Sequence, residues 1–222
     1  MKLTLYHGSE NIIDKPSLDK GKANNDYGRG FYFCKDNELA KEWACKKGND
    51  GYVNKYELEL KGLKVLDLQE EKYNVLHWIA LLLENRKLTI SSSIADVASY
   101  YLHMNYLIDV SKYDVIIGYR ADDSYFAYAE AFISNSLPLN SLKKSLMLGN
   151  LGIQVVLVSN KAFENLKYIN SELVDKDIYF SKFYNRDKKA RETYKNEIRN
   201  VTSLINDIFI MDIIRNGGLN ND

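Results

Sequence analysis

Short strand-like runs scattered along the chain, with helical stretches inserted between them, most limit what these 222 residues can fold into. That mixture predicts an α+β architecture. Residues 3–6 read as a first strand running into His7-Gly8-Ser9. Residues 52–60 alternate apolar and polar, the period of a half-buried strand. Residues 65–68, 113–119 and the strongly apolar run 152–159 read as further strands. Gly28-Arg29-Gly30 opens an aromatic strand, Phe31-Tyr32-Phe33. Helices are expected over 73–86, 94–104, 124–132 and 141–148, and from an N-cap at Asp36 to about Lys46. Val75, Leu76, Ile79, Leu82 and Leu83 fall at helical spacing and belong to the core.

After about Asn170 the character changes to charge-rich, with Tyr184, Ala190, Tyr194, Ile198, Val201, Ile205 and Ile208 at helical spacing. The expected division is therefore a domain over residues 1–170 and a C-terminal helical appendage over 171–222. Arg186-Asp187-Lys188-Lys189-Ala190-Arg191 reads as a solvated helix face. Basic and acidic residues balance at 30 each, so there is no global attraction to nucleic acid or to an anionic membrane. Two cysteines, Cys34 and Cys45, make no disulfide framework. With no CxxC and no neighbouring histidine they suggest no zinc site either, and no metal is expected. They fit reduced thiols in a cytoplasmic protein. The N-terminus has no signal-peptide pattern, and no run approaches the roughly 18 apolar residues of a transmembrane helix. His77 and His103 lie in helical stretches without partner clusters and read as structural or surface residues.

Three separated segments carry chemistry. In Leu5-Tyr6-His7-Gly8-Ser9, a glycine beside a histidine lets a ligand approach the backbone and leaves peptide groups to pair with an amide. A histidine that merely fixes a turn fits equally well. In Asp26-Tyr27-Gly28-Arg29-Gly30-Phe31-Tyr32-Phe33-Cys34, glycines before an aromatic strand suggest a pocket wall. Tyr32, with Trp43 further on, is placed to stack on a flat cationic ring, although aromatics at such spacing also build cores. In Gly152-Ile153-Gln154-Val155-Val156-Leu157-Val158, a lone glutamine is either a pocket residue or an edge residue, and composition favours the edge.

Together these segments resemble the catalytic domain of poly(ADP-ribose) polymerases. Residues 5–9 are similar to their LWHGS segment, and residues 27–33 to their FGKGIYF segment. Residues 154–168 are similar to the strand EYIVYD…NLKYL. The set also resembles a bacterial family of domains of unknown function placed in the ADP-ribosyltransferase superfamily, with YHGS, DFGxGFY, AxxWA and an internal ADD, here Ala121-Asp122-Asp123. The likeness runs in order over residues 3 to 168.

The resemblance implies a core of two small packed sheets around an NAD cleft, with inserted and C-terminal helices. It implies that His7, Gly8, Ser9, Gly30, Tyr32 and Trp43 bind NAD. His7 would bond the adenosine ribose, Gly8 the carboxamide, and Tyr32 and Trp43 the two faces of the nicotinamide. The residue gripping the nicotinamide ribose is usually glutamate and here is Gln154, which accepts a hydrogen bond but carries no charge. Asp122 and Asp123 would then supply the missing charge, or else form a solvated turn. Ala40 stands where the polymerases have a serine. The implied activity is mono-ADP-ribosylation of a protein or nucleic-acid acceptor, as an intracellular bacterial toxin or effector with an antitoxin or regulatory partner. A non-catalytic NAD or ADP-ribose binding module and an NAD glycohydrolase are the alternatives.

Overall fold

The computed structural model describes residues 1–121, 123–147, 152–199 and 207–219. Its elements run β1 (Lys2–Ser9), β2 (Phe31–Cys34), α1 (Asn37–Ala44), β3 (Gly51–Glu59), β4 (Val65–Asp67), α2 (Val75–Asn85), α3 (Ser93–Tyr106), β5 (Val115–Tyr119), α4 (Asp123–Ile133), α5 (Leu139–Met147), β6 (Ile153–Leu157), α6 (Asn160–Glu164), β7 (Leu166–Val174), α7 (Lys176–Arg199) and α8 (Ile210–Arg215). The α+β mixture read from the sequence is the one the chain adopts.

The strands form one seven-stranded sheet in the order β4-β5-β6-β2-β1-β3-β7. Among the described strands only β4 and β5 run parallel. In place of the two packed sheets expected, the described strands form one continuous sheet whose two halves join where β1 meets β2. β1 and β2 meet through a single registered pair, Tyr6 with Cys34, whereas β1 and β3 stay paired over the whole length of β1. Beyond that pair the halves part, and a side chain replaces the missing ladder bond: His7 Nδ1 lies 2.7 Å from the Tyr32 carbonyl oxygen.

At β5 and β6 the sheet is covered on both faces. Val115, Ile117, Val155 and Leu157 pack with Leu5, Phe31 and Phe33 on one face, while Ile116 and Val156 join α2, α3 and α4 on the other. This double burial explains why residues 152–159 read as an almost unbroken apolar run. Each such side chain contributes about 1.5–3 kcal/mol relative to exposure. Asp36 caps α1 by accepting from the amides of Glu38 and Leu39 at 2.8 and 3.3 Å, which is worth about 1 kcal/mol.

Toward the C-terminus the structure differs from the sequence pattern. The expected boundary after residue 170 falls inside β7, and Ile210 and Ile213 of α8 are buried in the same core as α2. Among the described side chains of α7, Ala190 is buried while Tyr184 is 58% exposed. Arg186, expected on a solvated face, is turned inward. Its Nε donates to Glu42 Oε2 at 2.7 Å, clamping α7 to α1. Among the described residues no helix is long and apolar enough to cross a membrane.

Candidate functional site

A cleft of about 890 Å³ opens beside the seam between the half-sheets, in the upper range of small-molecule sites. His7, Gly8, Ser9, Gly30, Tyr32, Trp43 and Gln154, drawn from three distant segments, all line it. Residues facing each other in a sheet share a face, so the pairs Tyr32–Val156 and Cys34–Gln154 put Tyr32 and Gln154 on the same side. His7 packs on the opposite face, its ring 4.4 Å from that of Phe31. The cleft reaches both faces because β1 and β2 separate there.

His7 is held in one tautomer. A carbonyl only accepts, so the proton sits on Nδ1 and the lone pair on Nε2. Burial, with Arg120 and Lys46 nearby, lowers its pKa to about 4 against the weaker pull of the Tyr32 carbonyl. At neutral pH the ring is therefore an uncharged acceptor. Tyr32 braces the loop before its own strand: its hydroxyl donates to the Gly28 carbonyl at 2.7 Å and accepts from the Tyr27 amide at 3.1 Å.

Two glycines have a structural reason. A methyl group at Gly8 would stand 2.0 Å from the Ala40 carbonyl oxygen, so α1 packs directly on β1. A methyl at Gly30 would meet Val156 at 2.6 Å. Trp43 carries cations on its ring: Lys46 Nζ at 4.9 Å, the Arg120 guanidinium at 5.0 Å and that of Arg186 at 6.0 Å. Phe183 meets it edge-on at 5.5 Å.

Gln154 is not an edge residue. β6 lies between β5 and β2, and the side chain is buried at the cleft wall. Its Nε2 donates to Asp26 Oδ2 at 2.9 Å and to the Tyr119 carbonyl at 3.1 Å. Asp26 is the carboxylate that sequence reasoning missed. Its Oδ2 also accepts from the Ala121 amide at 2.9 Å, and its Oδ1 pairs with Arg86 at 3.2 Å. Burial raises the Asp26 pKa despite the opposing effects of that amide, Gln154 and Arg86. Asp122 lies outside the described residues, and Asp123 is the first residue of α4.

The cleft is basic although the chain is neutral. Lys15, Lys20, Lys22, Lys46, Arg86 and Arg120 line it, against Asp14 and Asp26. Arg120 also donates to Cys34 Sγ at 3.0 Å. Cys34 and Cys45 are both free and buried. His77 and His103 lie elsewhere: His77 completes the N-terminal cap of α2 with Asn74, and His103 pairs with Glu84 at the surface. Among the described residues no group of three histidine, cysteine or carboxylate side chains is arranged to hold a metal ion.

No curated protein and no solved structure matches the chain. The segments that build the cleft all lie within residues 3–168, which match the model of a single protein family. That family is described as "Protein of unknown function (DUF3990)", and the chain belongs to it.

Proposed function

We propose that the cleft binds NAD⁺ and that the protein transfers ADP-ribose from it to a macromolecular acceptor, protein or nucleic acid, in the bacterial cytoplasm. The observation that carries this reading is the convergence of His7, Gly8, Tyr32, Trp43 and Gln154 on one basic cleft. Neutral His7 offers Nε2 to a ribose hydroxyl. The lysines and arginines offer charge to the diphosphate. Tyr32 and Trp43 offer aromatic surface to the pyridinium.

In the reaction, the bond between the ribose C1′ and the nicotinamide nitrogen breaks, and its electron pair leaves with neutral nicotinamide. The positive charge that develops at C1′ is then captured by an acceptor nucleophile, which gives up a proton. Gln154 supplies no charge to that centre, which argues for single transfer rather than chain elongation. Asp122 and Asp123 remain the proposed source of charge. An antitoxin or regulatory partner fits a toxin or effector role.

A non-catalytic NAD⁺- or ADP-ribose-binding module is the second reading. It is favoured by uncharged Gln154 and by the cations already stacked on Trp43. NAD⁺ labelled in the adenosine half, incubated with the protein and a cell lysate, separates the readings. Label on a macromolecule supports transfer. Free nicotinamide without label transfer indicates a glycohydrolase, and binding without turnover indicates the module.

A further inference from the structure

Gln154 spends both hydrogens of its amide inside the protein, on Asp26 Oδ2 and on the Tyr119 carbonyl. Both neighbours are acceptors, so the NH₂ group must face them and Oε1 must point away. Among the described residues Oε1 accepts no hydrogen bond, while the side chain lines the cleft. Asp26 is itself anchored. Besides Gln154 it takes the Ala121 amide and the Arg86 guanidinium, and Arg86 in turn donates to the Ala121 carbonyl at 3.0 Å and lies 4.6 Å from the Phe126 ring centroid.

We propose that Asp26 and Gln154 work as one unit, in which the anchored carboxylate holds the amide so that Oε1 faces the cleft and accepts a hydroxyl of a bound ribosyl ligand. Gln154 is the residue that touches the ligand, and Asp26 is a positioning residue acting through it. The inference rests on the NAD⁺ reading above. It also changes what glutamine means at this position. A glutamate there would set a second carboxylate about 2.9 Å from Asp26 and beside the Tyr119 carbonyl. Two carboxylates so close share one proton, and their titration belongs to the pair. Glutamine is thus the residue this wall requires, not a weakened glutamate.

The test uses ADP-ribose and NAD⁺ as calorimetric probes on the full chain. The variants are Gln154→Glu, alone and combined with Asp26→Asn. Gln154→Glu is expected to lower ADP-ribose affinity at least tenfold at pH 7.5. Relative to the parent, the loss should shrink as pH falls and the pair takes up its proton. The melting temperature of Gln154→Glu should rise with acidification for the same reason, which reads the pairing without any ligand and at a pH where the variant folds. Adding Asp26→Asn should markedly shrink both added pH dependences, leaving only what burial and the Tyr119 carbonyl impose on a lone carboxyl, a result that mere damage to the fold does not produce.

A Gln154→Glu protein that binds ADP-ribose like the parent, with no added pH dependence, overturns this inference and leaves the NAD⁺ reading standing. The same added pH dependence persisting in the double variant also overturns it. A parent that binds neither probe overturns the function reading and the ligand half of this inference with it.

Discussion

The His7 ring gives a stability signal that can be worked out in advance. Its pKa falls from 6.5 to about 4 on folding, so the unfolded chain takes up a proton first as pH drops. The stability linked to His7 is complete above pH 6.5 and is lost as pH falls toward 4. Between pH 7.5 and 5 the loss is at most about 2 kcal/mol, an upper bound because the ring lines an open cleft. His7→Gln removes the titration while its amide can still donate to the Tyr32 carbonyl. Urea denaturation of both proteins at pH 7.5 and 5 cancels every other titrating group in the difference. The parent should lose about 1–2 kcal/mol more than His7→Gln on acidification. Parallel losses in the two proteins would refute the buried, neutral histidine.

Other perturbations reach other parts of the account. Gly8→Ala drives a methyl into the backbone of α1, which cannot swing aside, and should cost about 1–3 kcal/mol or more in a thermal melt. An unchanged melting temperature would mean that α1 does not pack on β1 as described. Arg86→Ala leaves Asp26 buried without its cation and should cost about 3–5 kcal/mol near neutral pH. That cost should shrink on acidification, because a carboxyl whose folded pKa is raised regains stability as it protonates. A cost that does not change with pH would separate Arg86 from Asp26. If Asp122 or Asp123 supplies the charge at the reacting ribose, Asp122→Asn or Asp123→Asn should slow nicotinamide release at least tenfold, since one preorganised group is typically worth about 2.7–4 kcal/mol. Parental rates in both variants would place the charge elsewhere.

The elements that could be read in the sequence were those with a strong local pattern. The alternation of residues 52–60 is β3, the apolar run at 152–159 is β6, and Asp36 caps α1. The three motif segments were legible as candidates, and they share one cleft. The rest depended on tertiary arrangement. An apolar strand does not announce its place in the sheet, so composition alone favours the edge for Gln154 although β6 is internal, and only the resemblance puts it in the site. Asp26 opens the second motif segment, but nothing local marks its carboxylate as a site group. Its partners Arg86, Ala121 and Gln154 are 60, 95 and 128 residues away, a distance that no local window spans. β7 is an edge strand that is mostly exposed, so the polar run Ile169-Asn170-Ser171-Glu172 looked like the start of an appendage. Arg186 looked solvated because its partner Glu42 belongs to α1, 144 positions earlier.

The claim that NAD⁺ occupies this cleft is tested most directly by calorimetric titration of NAD⁺ into the parent and into His7→Ala, with His77→Ala and His103→Ala as controls. The two control histidines lie away from the cleft lining, one in a helix cap and one beside Glu84 at the surface. Losing the His7 hydrogen bond inside the cleft should cost about 1–3 kcal/mol, or roughly 5- to 150-fold in affinity, while both controls bind like the parent. Equal affinity for NAD⁺ in all three variants would contradict the account.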